Sequence, residues 1–225
     1  MGDSFNRNPT TFSDLNSNKV LQAIRVRYEL INHIYSEYRR INREGGTLIR
    51  PSFYKYPNDY TIAWYNRTYF LTDTLYVAPN VSGSASYSVY FPPDTFYDYY
   101  NGQIVRGQQV NYTVSKVLNT PIYIRSGVVI GTITNSNKIT STEGLKNAAT
   151  SNMLIKIAHD HYSYANGNIT AWNQESKSWL DVKVEKRGPI IKFFPYTAID
   201  KTNTSPNLQV QKIQVYGYSN VSLNT

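Results

Sequence analysis

Two of the three histidines stand one residue apart, in His159–Asp160–His161, and that spacing is the chain's nearest approach to a metal site. On a strand, residues i and i+2 share a face, so both imidazoles could point one way with Asp160 opposite. A zinc-type centre needs a third and a fourth ligand, and no other histidine lies near in sequence. The pair is therefore expected on a turn or surface, and no metal or cofactor is expected. His33 falls beside apolar neighbours and is predicted to be a packed residue. There is no cysteine, which removes disulfides, thiolate metal sites and a cysteine nucleophile together. No G-x-S-x-G, P-loop or G-x-G-x-x-G occurs, so esterase, NTPase and dinucleotide chemistry have no support. Six Asn-x-Ser/Thr sequons, at Asn66, Asn80, Asn111, Asn168, Asn203 and Asn220, are compatible with a lumenal protein without demonstrating one.

The chain that must position such groups has 225 residues, 17% of them charged and 14% aromatic, with 21 tyrosines. That is a globular composition, sized for one large or two small domains. The net charge of +8 is scattered, as +3 over residues 1–50, +1 over 51–145 and +4 over 146–225. Its densest spots are Arg39–Arg40–Arg43, at a helix C-terminus, where the dipole favours cations, and Lys183–Lys186–Arg187, beside Asp181 and Glu185. Nucleic acid is not an expected partner. No apolar run approaches the roughly 18 residues of a membrane span. The first ten residues, MGDSFNRNPT, lack a secretory apolar stretch, and Asn6 stands where a myristoylation motif wants Ser or Thr.

One helix is predicted from Asn18 to about Arg43. Its apolar stripe runs through Val20, Leu21, Ile24, Tyr28, Ile31, Ile34, Tyr35, Tyr38 and Ile41, and Gly45–Gly46 ends it. The stripe is expected to pack on a sheet. The rest of the chain is predicted to be β structure. Thr47–Lys55 is broken by Pro51, and further strands fall at Leu75–Ala78, Ser86–Phe91, Gln109–Val114, Pro121–Ile124, Val128–Thr134 and Met153–Ala158. Four more follow at Ile169–Trp172, Leu180–Lys186, Ile190–Phe194 and Gln209–Tyr216. Turns are expected at Asn101–Gly102, Ser126–Gly127, Asn166–Gly167 and Gly188–Pro189. Short strands at this spacing indicate antiparallel sandwiches. The polar stretch 135–150 is expected to separate two domains.

Five segments, in order, resemble the C-terminal end of glycoside hydrolase family 31, the α-glucosidases. Ile49–Tyr54 (IRPSFY) resembles the family's RPLF strand, and Thr68–Pro79 (TYFLTDTLYVAP) its QFMWGDALLVAP segment. Tyr90–Val105 (YFPPDTFYDYYNGQIV) is similar to YFPPGTWYDYYTGEVV, the most specific match, and Pro121–Ile130 (PIYIRSGVVI) to PLYVRGGSII. Arg7–Asn8 falls where the family carries RNHN, upstream of the helix with Arg27–Tyr28–Glu29–Leu30. The resemblance covers about residues 5–133 and weakens beyond.

It implies a mainly β fold in which a C-terminal remnant of a (β/α)8 barrel (the long helix plus the last strand) leads into two antiparallel β-sandwich domains. The implied divisions are 1–74 for the barrel end, 75–134 for the proximal sandwich, 135–150 for a linker and 151–225 for the distal β domain. The family's hydrolysis is retaining, with two carboxyl groups. Both would lie before Met1, so no catalytic residue is expected here, and Asp3 and Asp14 are not their counterparts. Arg7 and Asn8 are the substrate-binding candidates. The implied partners are an α-glucoside or maltooligosaccharide and the missing N-terminal barrel, and the implied compartment is secreted or an endomembrane or lysosomal lumen. The departures are specific: Pro9 replaces the sugar-facing histidine, Thr72, Asp94 and Ser126 each replace a glycine, and Phe96 replaces a tryptophan. The alternative is a non-catalytic carbohydrate-binding sandwich using Phe96–Tyr100 and Trp172 as stacking faces, unless those aromatics fill the cores.

Overall fold

The computed structural model describes residues 13–80, 86–108, 112–115, 120–139, 141, 144, 152–173, 178–195 and 209–217. The predicted long helix is two consecutive helices, α1 (Asp14–Glu29) and α2 (Ile31–Glu44), separated by a single turn residue, Leu30. Backbone bonds from Leu30 to Val26 and from Ile34 to Leu30 carry the helical pattern through the junction. Gly45 ends α2 at φ +80, a conformation that disfavours residues with a Cβ.

Among the described residues, two six-stranded sheets and a two-stranded ribbon follow the helices. The first sheet has the order β1-β2-β3-β8-β5-β6, from β1 (Ile49–Pro51), β2 (Tyr69–Leu71), β3 (Leu75–Val77), β5 (Thr95–Asp98), β6 (Ile104–Arg106) and β8 (Ile122–Arg125). All its pairs are antiparallel. The ribbon joins β4 (Ser86–Val89) to β7 (Tyr112–Ser115). Two short helices, α3 (Ser52–Lys55) and α4 (Tyr60–Trp64), fill the connection from β1 to β2. Asp59 caps α4 by accepting from the backbone N–H groups of Thr61 and Ile62.

Strict alternation gives the first sheet two apolar faces. Phe70, Tyr76, Phe96 and Tyr123 pack with Val89, Phe91 and Val114 on the ribbon side. Leu75, Tyr97, Ile122 and Ile124 face the other way and meet Val128, Ile130, Ala158 and Tyr216 of the second sheet, with Leu30 of the helix. On the ribbon side the rings of Phe91 and Tyr123 meet edge to face at 4.7 Å.

The second sheet has the order β13-β12-β11-β9-β10-β14, from β9 (Val128–Ile133), β10 (Met153–Ala158), β11 (Tyr164–Asn173), β12 (Ser178–Arg187), β13 (Ile190–Pro195) and β14 (Val210–Tyr216). Two of its pairs, β10 with β14 and β11 with β9, are parallel. Its own core includes Val129, Met153, Ile155, Ile157, Ile169 and Val184. Two hydrogen-bonded pairings cross the expected divisions of the chain: β2 with β3, on either side of residue 74, and β9 with β10, on either side of 135–150.

Two expectations are corrected. Asn166–Gly167 is not a turn but lies inside β11. A Cβ on Gly167 would stand 2.2 Å from the Val129 carbonyl oxygen, so the glycine serves a close strand approach. The helix stripe packs on the sheets only in part: Ile34 meets the core between the sheets and Ile31 packs on Ile133, whereas Leu21, Ile24, Tyr35 and Tyr38 are 42–54% exposed, and the polar Asn32, His33, Ser36 and Glu37 are buried instead.

Candidate functional site

Three clusters of paired charges hold α1 and α2 against the sheets. In the first, the buried Asp181 carboxylate of β12 accepts from Arg39 at 2.9 Å and from the Thr170 hydroxyl at 2.5 Å, with Arg43 at 3.6 Å. Arg39 also stacks 4.7 Å from the Trp179 ring centre. Ser36 lies on the same seam, its Oγ accepting from the Thr170 backbone N–H at 2.8 Å.

The second cluster joins the end of α1 to β10. Lys156, 4% exposed, places its Nζ 3.4 Å from Glu29 Oε1 and 3.4 Å above the centre of the Tyr99 ring. Burial depresses the proton affinity of Lys156, and the Glu29 charge opposes that shift. The third surrounds Asp73, which pairs with Arg50, lies 3.5 Å from Arg40 and reaches Lys55 at 4.0 Å. Next to it, Asp94 accepts from Ser126 Oγ at 2.7 Å and Tyr56 Oη at 3.1 Å, and faces Arg125 at 3.4 Å. Burial, reinforced by the Asp94 charge, keeps the Tyr56 phenol protonated at any physiological pH.

His33 is buried on α2, as expected of a packed residue. Its Nε2 lies 3.0 Å from Thr72 Oγ1 and 2.7 Å from Thr74 Oγ1, and burial lowers its pKa to about 4. The ring is therefore neutral at pH 7. His159 and His161 sit at a turn after β10, where Asp160 Oδ1 accepts from the backbone N–H groups of Tyr162 and Tyr164. His161 stacks against Tyr162 at 3.6 Å. Among the described residues no group of three His, Asp or Glu side chains is arranged to hold a metal.

A groove of about 200 Å³ runs between the helices and the first sheet. Val26, Leu30, Ile34, Leu71, Val77 and Ile122 supply its apolar wall, and no carboxylate is among its described lining residues. The acidic groups described above are matched to cations or hydroxyls, an arrangement that fixes elements in place. Nothing in it resembles two carboxyl groups set across an open cleft, the geometry glycoside hydrolysis needs.

Arg7, Asn8 and Pro9 lie outside the described residues, as does the side chain of Trp172. Three of the candidate stacking aromatics are core: Phe96 is 0%, Tyr97 3% and Tyr99 1% exposed. Sequence reasoning passed over the most exposed aromatics, Tyr60 at 87% and Trp64 at 88%, because α4 itself was not foreseen. The Asp59 cap followed by Tyr60 and Trp64 at i, i+4 was the available signal.

Residues 45–130 match the glycosyl hydrolase family 31 C-terminal domain. A probable α/β-glucosidase of Aspergillus fumigatus is 36% identical over 125 residues, which are 54% of this chain and 14% of that protein. An α-glucosidase of Saccharolobus solfataricus is 31% identical over 128 residues, 57% of this chain and 18% of that one. The chain thus spans less than a fifth of these curated relatives. Among solved structures, a glucosidase II α subunit superposes with a TM-score of 0.78 at 18% identity, covering 93% of this chain and 24% of that one. A Flavobacterium johnsoniae GH31 dextranase in complex with glucose gives 0.66 at 21% identity, over 80% and 22%. The likeness extends well beyond the matched domain, through the helices and the second sheet. Residues 45–130 thus match the C-terminal domain of glycosyl hydrolase family 31 in sequence, and the fold of most of the chain is similar to the C-terminal portion of solved structures that include a GH31 dextranase.

Proposed function

We propose that this chain is the scaffold segment of an α-glucosidase-like hydrolase acting on α-linked glucosides, and that the catalytic carboxylates belong to a barrel outside it. The observation that carries this reading is the orientation of α1 and α2. Polar anchors at Asp181, Lys156 and Asp73, with Leu30 and Ile34, hold them against the two sheets, while Leu21, Ile24 and Tyr38 stay exposed. Apolar side chains left exposed on helices so anchored form a surface built to be covered. In this reading residues 1–74 complete the barrel, 75–134 and 151–225 brace it as proximal and distal β domains, and Arg7 and Asn8 reach the sugar. The compartment is the lumen of the secretory pathway, a reading supported by the likeness to an ER glucosidase II complex, which superposes with a TM-score of 0.73 at 18% identity over 87% of this chain and 22% of that one. None of the described helices is long and apolar enough to cross a membrane.

The test is turnover of p-nitrophenyl α-glucoside and maltose by the 225-residue chain alone. No hydrolysis is expected. Turnover that disappears when an Asp or Glu within the chain is replaced would overturn the proposal.

A further inference from the structure

We infer that Asn66 is an N-glycosylation site whose first sugar stacks on Trp64. The inference rests on the lumenal compartment proposed above.

The sequon Asn66–Arg67–Thr68 occupies the link between α4 and β2, with Asn66 exposed on a turn. The sequon at Asn168 stands differently. Asn168 lies half-buried inside β11 with Lys183 opposite, and its Thr170 hydroxyl is held by the buried Asp181. Around Asn66 the geometry favours a carbohydrate. Tyr65, at φ −92 and ψ 95, is extended and separates two exposed residues, Trp64 and Asn66, by about 7 Å along the backbone, within reach of one sugar ring.

Trp64 is 88% exposed, more than any other large hydrophobic side chain among the described residues. An indole left in water forgoes its burial energy, and the apolar face of a hexose is a surface it can cover. Tyr60, one helical turn earlier at 87% exposure, extends the same platform. Thr68 supplies the hydroxyl that the sequon requires before the chain folds. Afterwards it is buried at 6%, where its Oγ1 accepts from Tyr76 Oη at 2.8 Å and lies 3.2 Å from Ser52 Oγ. The sequon's two polar residues thus part company on folding: the threonine enters the core and the asparagine stays outside.

The donor is a polyprenyl-diphosphate oligosaccharide. Asn66 Nδ2 forms a bond to the anomeric carbon, the bond from that carbon to the phosphate oxygen breaks, its electron pair leaves on the diphosphate, and the amide gives up one proton.

Two measurements on protein purified from its own cells test this. Peptide mapping after enzymatic deglycosylation in heavy-oxygen water is expected to find a labelled Asp at position 66, and N66Q protein is expected to lose one glycan's mass. Protein that is protease-protected inside microsomes, carries sugar on other asparagines and is bare at Asn66 would overturn the inference and leave the compartment standing. Protein that is unprotected and sugar-free would overturn both. Thermal melting then tests the stacking: removal of the glycan should lower Tm when Trp64 is present and leave it unchanged in W64A. An equal Tm loss in both backgrounds would overturn the contact with Trp64.

Discussion

His33 Nε2 and Thr72 Oγ1 lie 3.0 Å apart across the seam between α2 and the first sheet, and Thr72 makes this contact from a left-handed backbone at φ +63. Glycine is the residue suited to that conformation, and it is the residue the family pattern carries there. For a β-branched side chain the conformation costs about 1–2 kcal/mol. The hydroxyl offsets that cost by meeting both His33 and Thr74, the latter at 2.7 Å. Thr72→Gly should therefore change stability by less than about 1 kcal/mol, strain relief offsetting the lost hydrogen bonds. Thr72→Val keeps the strain, removes the hydroxyl and should cost about 3 kcal/mol. Urea titrations of the two variants check the ordering, and equal losses would refute this account of the seam.

The same histidine makes stability depend on pH. Burial lowers its pKa from the usual 6.5 to about 4. Between those values the unfolded chain binds a proton that the folded chain does not, so stability rises with pH across this window. It is complete above 6.5 and falls as the pH drops toward 4, by about 3 kcal/mol in all. His33→Asn should flatten the slope between pH 6.5 and 4.5 relative to the parent chain. An unchanged slope in denaturation midpoints would assign the acid sensitivity to other groups.

Lys156 and Glu29 give an asymmetric pair of outcomes. Removing the anion leaves a buried cation without its partner, so Glu29→Ala should cost about 3 kcal/mol. Lys156→Met replaces the cation with an apolar side chain of similar length beside Tyr99 and should be neutral or stabilising. In the Lys156→Met background, Glu29→Ala should then lose most of its effect. Additive losses in thermal melts would mean that the two side chains do not act on each other.

Asp94 and Ser126 both stand where the family pattern has glycine, and they touch, Ser126 Oγ donating to Asp94 Oδ1 at 2.7 Å. Two departures that stand 32 residues apart in the sequence form one interaction in the fold. A double-mutant cycle with Asp94→Gly and Ser126→Gly should give a coupling energy of about 1 kcal/mol. A coupling indistinguishable from zero would make the pair a coincidence of geometry.

Strands whose alternation or compactness was visible along the chain were legible in the sequence. Met153–Ala158 forms over the expected residues, and Leu75–Val77 and Val128–Ile133 form within one residue of expectation. Three-residue and four-residue strands such as Ile104–Arg106 and Thr95–Asp98 were missed, because pairing with β8 and with each other makes them strands, not their own pattern. Gly167 misled for a related reason. A glycine that permits close approach looks the same in sequence as one that permits a turn, and only the partner strand separates the two. The acidic partners Asp181 and Asp73 could not be foreseen either, since their cations come from residues far away in the chain.

The helix periodicity was legible and its direction was not. The 3.6-residue stripe is real, yet the face turned to the sheets carries Ser36 and Glu37 beside Ile31 and Ile34, Tyr35 reaches only the edge ring of Trp179, and Tyr38 is turned away. A stripe says that an apolar surface exists; it does not say which neighbour covers it. At positions 36 and 38 the energetics should therefore run opposite to hydrophobicity. Tyr38→Glu, at a position 54% exposed, should alter the chain's own stability by no more than about 0.5 kcal/mol. Ser36→Leu removes a hydroxyl that accepts from Thr170 and forces a larger side chain against β11, so it should cost about 2–3 kcal/mol. On the scaffold reading proposed above, Tyr38→Glu should lower the melting temperature of the chain joined to the barrel that covers this face. A Tyr38→Glu chain that unfolds as readily alone as Ser36→Leu would mean that the apolar face is already buried within these 225 residues, and the scaffold reading would fail with it.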